Sequence, residues 1–235
     1  MISDRWRMQL DYRVISIGTL AAHPLWDEKV QSRTGHATTT LIRAGDAAIL
    51  VDPSLPAPAL LARMSERTNL HPDAVTHVFL TSFERERRRA LGAFESAAWL
   101  LHESEMDSAR ESLDAQRDDA RDAGDGDLLA LIDAERDILE RCRAAPDRLA
   151  PGVDLFPLPG ITPGCCGLLL SLPGQTVLVC GDAVPTLEHL ASGQVLPHCA
   201  SIEQARESFR EAVEIADVLI LGRDNLACNP LRRLM

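Results

Sequence analysis

The sequence has only one lysine, Lys29, so its positive charge is almost wholly arginine. Positive charge is scarce altogether: 24 Lys and Arg face 35 Asp and Glu, for a net charge of −11. That balance argues against a general nucleic-acid surface and against a polybasic membrane patch. Aromatic residues make up 4% of the chain, which leaves the core to Leu, Val, Ile and Ala. No apolar run approaches the roughly 18–20 residues needed to cross a bilayer. The opening MISDRWRMQLDYR lacks the apolar stretch of a secretory signal, so the expected compartment is the cytoplasm. There is no CxxC, which excludes zinc-ribbon and thioredoxin-like readings. The six cysteines, Cys142, Cys165, Cys166, Cys180, Cys199 and Cys228, are expected mainly as buried free thiols. GxSxG, GxxxxGK and GxGxxG are all missing, so no nucleophile elbow, P-loop or dinucleotide fingerprint competes for the function.

What is present is ordinary for a globular protein: 235 residues, 46% hydrophobic and 25% charged, enough for one large domain or two small ones. "RVISIGTL" (13–20), "ATTTLIRAG" (37–45) and "AAILVDP" (47–53) read as strands, the last two joined by a Gly45-Asp46 hairpin turn. "PAPALLARMSERT" (56–68) has the one-sided apolar pattern of a helix. "HVFLT" (77–81) and "AAWLLHE" (97–103) are strands, with a short helix beginning near "RRALGAF" between them. "DLFPLP", "GLLLSLP", "TVLVCGD" and "VLILG" (218–222) are further short strands. "SIEQARESFREAVEIAD" is a helix with a capping box from Ser201 to Gln204.

Residues 103–150 stand apart, with 15 acids and 7 arginines contributing −8 of the net −11. Ser104 with Asp107 reads as a helix start, Gly124 and Gly126 mark a turn, and Leu128, Leu131, Ile132, Ile138, Leu139 and Cys142 recur at helical spacing. The expectation is an inserted helical hairpin whose apolar stripe is buried, either over the site or in a homodimer contact. The bland alternative is a solvated insertion of no special role.

One stretch breaks the pattern of strands and helices. "LTSFERERRRALGAF" (80–94) runs from a buried strand straight into a burst of charge. Similar turns follow the other strands: "LPGITPGCC", "CGDAV" and "LGRDN". In this order the segments resemble those of the metallo-β-lactamase fold superfamily. "ILVDPS" is similar to its strand ending in aspartate, "HVFLTSFERER" to its T-H-x-H-x-D-H motif, "LPGITPGCCGLLL" to its P-G-H-T-P-G-H turn, "VLVCGDAV" to its G-D strand end, and "VLILGRDN" to its last strand and terminal histidine. A weaker similarity to the lactonase-like branch runs from Phe94 to Glu105. The resemblance implies one αββα four-layer sandwich with the helical insertion at about 103–150. In that family histidines and aspartates hold two zinc-like ions, whose bridging hydroxide attacks an ester, lactone, amide or thioester.

The departures from the motif set the functional expectation. By the resemblance, Ser82 stands at the first histidine, Glu84 at the second, Glu86 at the aspartate and Arg87 at the third histidine. Cys165 stands at the histidine of the Pro-Gly turn and Arg223 at the terminal one. Asp182, the metal-bridging carboxylate, is kept. A guanidinium stays protonated, has donors only and cannot coordinate a cation. The expectation is therefore a degenerate site in which Arg87 and Arg223 neutralise Glu84, Glu86 and Asp182, with no cofactor. Such a pseudoenzyme pocket would take an anionic or polar small molecule, or a protein partner. The alternative is a divergent hydrolase with one zinc or similar divalent ion on Glu84, Glu86, Cys165 and Asp182, or with a reactive thiol at Cys165-Cys166 activated by nearby arginines. His36 is the one histidine expected near the cleft. His23, His71, His77, His102, His189 and His198 lack partner spacing and read as ordinary.

Overall fold

The computed structural model describes residues 10–232; the reading of MISDRWRMQ at the N-terminus lies outside them. In chain order the elements are β1 (Asp11–Ser16), β2 (Thr39–Ala44), β3 (Ala47–Val51), α1 (Ala57–Arg67), β4 (His77–Phe79), β5 (Ala98–Leu101), α2 (Glu103–Asp122), α3 (Gly126–Arg141), β6 (Arg143–Ala144), β7 (Arg148–Ala150), β8 (Val153–Pro157), β9 (Cys166–Leu172), β10 (Gln175–Val179), α4 (Leu187–Ser192), α5 (Ile202–Ile215), β11 (Val218–Ile220) and β12 (Leu226–Cys228). Among the described residues no helix is long and apolar enough to cross a membrane.

The strands form two six-stranded sheets, ordered β1-β2-β3-β4-β5-β6 and β12-β11-β10-β9-β8-β7. The alternation of side chains along each strand divides the interior into three cores. Ile49 and Val51 of β3, Phe79 of β4 and Leu100 of β5 point inward to meet Leu168, Leu170, Val177, Val179 and Ile220 of the other sheet. Their neighbours Leu50, Val78 and Leu101 point outward onto Leu60 and Met64 of α1 and onto the hairpin α2–α3. On the far side, Leu178 and Leu219 pack beneath Phe209, Ala212 and Val213 of α5. Helix layer, sheet, sheet and helix layer give the αββα sandwich that the resemblance implied.

Local chemistry explains the ends of these elements. Gly45 sits at φ 61° in the turn that pairs Ala44 with Ala47, a left-handed conformation suited to a two-residue hairpin. Ser201 caps α5 by accepting from the Gln204 amide. The cap of α2 is His102, whose ring accepts from the Ser104 amide at 3.2 Å, rather than the expected Ser104 pairing.

The hairpin α2–α3 buries Leu113, Ala120, Ile132, Leu139 and Cys142 in the first core. The expected stripe needs correction. Leu128 and Leu131 are 42% and 55% exposed. Leu129, Ile132 and Leu139 take the inward face, and at about 100° per residue Leu131 falls off it. Leu128 instead edges a groove shared with Phe83, Glu84 and Leu113. The helical part ends at Arg141; residues 143–150 carry the edge strands β6 and β7, one in each sheet.

Candidate functional site

Parallel pairing brings strand ends together. β3 runs parallel to β4, and β10 parallel to β11, so Asp52, Ser82, Asp182 and Arg223 all follow C-terminal strand ends at one edge of the sandwich. Gly222 allows the closest approach: a Cβ there would lie 2.2 Å from the Gly181 carbonyl and 2.6 Å from Asp182 Oδ1. That contact sets Arg223 directly against Asp182.

Arg87 is the centre of the site and is fully buried. Its Nη1 donates to Asp52 Oδ2 at 2.8 Å, and its Nε donates to Ser82 Oγ at 2.9 Å and to Glu84 Oε2 at 3.3 Å. Nη2 lies 2.5 Å from Asp182 Oδ2 as an ion pair, without the alignment of a hydrogen bond. Arg223 grips Asp182 side-on, with Nε 3.0 Å from Oδ1 and Nη2 2.8 Å from Oδ2. It also pairs with Glu86 through Nη1 and with Glu84 at 3.4 Å. Four carboxylates therefore share two guanidiniums, leaving a formal −2.

The charges respond to this lattice. Burial raises the Asp182 carboxyl, but Arg223 and then Arg87 outweigh it and hold Asp182 well below the usual carboxylate range. Asp52 goes the other way. Its burial is only partly offset by Arg87 and the Thr81 hydrogen bonds, so its carboxyl sits above the ordinary value. Glu84 is also raised, chiefly by burial and against the pull of Arg87. Both arginines are pinned in the charged form: desolvation opposes it, but Asp182 and other carboxylates prevail.

Asp52 is the main residue that sequence reasoning missed. It holds φ 48°, an uncommon conformation outside glycine that Asp tolerates better than most. Its carboxylate accepts from the Thr81 amide at 2.9 Å and the Thr81 hydroxyl at 2.7 Å as well as from Arg87. The signal was present in "ILVDPS", but the charge accounting left it out. Glu105 is a second omission. It is buried and accepts from the Phe83 amide at 2.8 Å, Thr162 Oγ1 at 2.6 Å and the Gly164 amide at 3.1 Å. It thus ties the start of α2 to both the charged loop and the Pro-Gly turn.

Ser82, Glu84, Glu86, Arg87, Asp182 and Arg223 come together in this network, and His36 does not join its hydrogen bonds. The His36 ring is held by the backbone carbonyls of Thr34 and Ile17, at 3.2 and 3.0 Å. Cys165 is buried beside the cluster, and the expected arginine activation fails there. Burial outweighs Arg87 and pushes its thiol well above the ordinary value. The Cys166 thiol rises to about 12 for the same reason. A thiol that stays protonated is a poor nucleophile.

The donor set does not fit the family's metals. Both Asp182 oxygens are taken by Arg223, and Oδ2 also faces Arg87. Among the described residues no three His, Cys, Asp or Glu side chains converge as a group that could hold an ion. Above the lattice lies a cleft of about 400 Å³, lined by Glu84, Glu86, Asp182 and Arg223 at its floor. Ala21, Pro24, Glu28 and Lys29 form one wall, and Ile161, Pro197 and His198 the other.

A sequence profile described as the metallo-beta-lactamase superfamily matches residues 33–222. The chain belongs to that superfamily. No curated protein matches it. Solved structures agree with this superfamily fold at low identity. A Thermotoga maritima protein assigned to the metallo-beta-lactamases is 18% identical with a TM-score of 0.65, covering 93% of this chain and 99% of that one. The dizinc quorum-quenching lactonase AidC, solved with its product, is 16% identical with a TM-score of 0.59, covering 76% and 67%. The hydrolase AbOPH is 13% identical with a TM-score of 0.60, covering 95% and 91%. At these identities the likeness is one of fold, and the chemistry of this superfamily member rests on its own side chains.

Proposed function

We propose that this chain is a metallo-β-lactamase-fold binding protein in which an internal ion-pair lattice replaces the two-metal centre. The observation that carries this reading is the placement of Arg87 and Arg223. Each is buried, each is bonded to Asp182, and between them they engage Asp52, Glu84 and Glu86. By the resemblance both occupy places where the family has histidine. A buried cation with donors only supplies charge but no open coordination position, and it generates no hydroxide. AidC is described as a dizinc lactonase; this site turns the same fold toward recognition.

The cleft floor presents the half-exposed carboxylates of Glu84 and Glu86 over the buried Asp182–Arg223 pair. Its residual negative charge favours a small polar ligand carrying an amine or another cationic group over an anionic one. The reading with a single divalent ion draws less support, because both Asp182 oxygens are engaged by Arg223 and Oδ2 also by Arg87.

Metal loading tests the proposal. The protein is incubated with excess zinc, iron or manganese, desalted, analysed for metal, and assayed on an aryl ester, a lactone and a thioester. The expected result is no stoichiometric ion and no metal-dependent turnover. Retention of about two ions per chain with turnover, the pattern of a hydrolase cluster, would defeat the reading.

A further inference from the structure

Between β1 and β2 the chain leaves the sheet and returns at the backbone pair Thr19–His36. This excursion supplies one wall of the cleft, through Leu20, Ala21, Ala22, Pro24, Glu28, Lys29 and Gln31. One side chain fastens its tip to the other sheet's layer. His23 Nε2 lies 3.1 Å from Thr186 Oγ1 and 3.3 Å from Glu188 Oε2, at the start of α4. Thr186 Oγ1 lies 2.8 Å from Glu188 Oε2 and 2.9 Å from His189 Nδ1. The carboxylate has no proton, so the hydroxyl donates to it; its oxygen accepts from His189 Nδ1–H and, more loosely, from the His189 amide at 3.4 Å, while His23 Nε2–H is shared between the hydroxyl and Glu188. Each ring then presents its bare nitrogen elsewhere. His23 Nδ1 and His189 Nε2 are both buried and have no partner among the described residues.

We propose that this cleft wall, residues 20–33, is an acid-released gate, held shut by the latch of His23 on Thr186 and His189. A proton on His189 creates a buried N–H donor at Nε2 that has no acceptor among the described residues. Lifting the wall relieves this penalty by admitting water. The charged and titratable groups facing the latch are few. Glu188 and His189 lie on α4, and Asp182 lies behind His189. Glu28 accepts from the His23 amide at 2.6 Å and is itself paired with Arg33. Trp26 stacks on the His23 ring at 4.1 Å and is 52% exposed, so the stack forms an outer cover.

The sign follows from burial. Desolvation first, and His23 second, lower His189 from its ordinary 6.5 to about 4. The contribution of neutral His189 to closure is therefore full above pH 6.5 and is lost as the pH falls from there toward 4. Two-state linkage between these values makes the contribution of His189 to closure about thirtyfold weaker at pH 5 than at pH 8.

Hydrogen–deuterium exchange on the whole protein tests the gate, with each amide corrected for its intrinsic rate at each pH. Protection over residues 20–33 is expected to fall by about thirtyfold between pH 8 and pH 5 while β3, β4 and β10 stay protected. In His189→Asn the amide stands in for Nδ1 and does not titrate, so protection should be flat with pH; His189→Gln is the second non-titrating variant. Three results would each overturn the proposal: wild-type protection at 20–33 that ignores pH, loss in step with β3, β4 and β10, or variants that follow the wild type. The two wild-type results decide the matter even if neither variant folds.

Discussion

Replacing Arg87 by Met probes the lattice at its most connected point. The side chain is fully buried, and Met has a stem of similar length, so the substitution keeps much of the volume and removes the guanidinium. Asp182 keeps its side-on partner Arg223. Asp52 does not fare as well: it keeps the Thr81 amide and hydroxyl but loses the one cation paired with it among the described residues. The loss is that of breaking a buried ion pair on one side, about 3–5 kcal/mol. It should depend on pH in a defined direction. Burial, only partly opposed by Arg87, already holds the Asp52 carboxyl above its ordinary value, and removing the guanidinium raises it further. A carboxyl raised in the folded state contributes stability at low pH that is lost as the pH rises through its folded value. The deficit of Arg87→Met is therefore largest at neutral pH and shrinks toward pH 5. The double variant Arg87→Met/Asp52→Asn removes the stranded charge while keeping an acceptor for Thr81, and it should recover at least half of the loss. Urea unfolding at pH 7.5 and pH 5.5 measures all three quantities. A single variant within about 0.5 kcal/mol of wild type, or a double variant no better than the single, refutes the view that Arg87 balances buried carboxylates.

Two further outcomes follow from the surroundings of the site. Glu105→Ala strands two backbone amides and the Thr162 hydroxyl, so it should cost about 2–4 kcal/mol in urea unfolding, the sum of a few lost acceptors; a neutral result would mean that Glu105 is not the strut between α2 and the site loops. Cys142, Cys165, Cys166 and Cys180 are buried, whereas Cys228 is exposed and Cys199 half-exposed, and burial pushes the Cys142 thiol to about 11. An aromatic disulfide reagent should therefore titrate Cys228 and Cys199 in the native protein and the other thiols only after unfolding, and fast labelling of Cys165 or Cys166 would revive the reactive-thiol reading.

Much of the architecture was legible because it rests on local periodicity. Alternation in "AAILVDP" and "TVLVCGD" marks strands, and the charged hairpin announces itself through helical spacing and the Gly124–Gly126 turn. The edge strands β6, β7 and β12 were not legible, since each is two or three residues long and owes its pairing to the sheet rather than to its own pattern. Within the site, Glu84, Arg87, Asp182 and Arg223 could be named from motif order. Asp52 was underweighted because its importance is a matter of charge balance with a residue 35 positions away. His23 and His189 lie 166 positions apart in the sequence and share Thr186; no spacing rule connects them, and only the folded chain makes them neighbours.

The sharing of carboxylates between Arg87 and Arg223 also bears on how such a protein can change. Asp182 answers to both guanidiniums, and Arg87 answers to both Asp182 and Asp52. Histidine in place of Arg87 leaves the buried Asp52 carboxylate without its cation, and a divalent ion arriving beside the remaining Arg223 guanidinium meets repulsion. On the proposed reading, a metal site could not be installed here one residue at a time without passing through a less stable protein, and the lattice would act as a ratchet. Installing the family's two-metal centre in this scaffold calls for exchanging both arginines, Cys165 and the motif residues together, in the presence of metal.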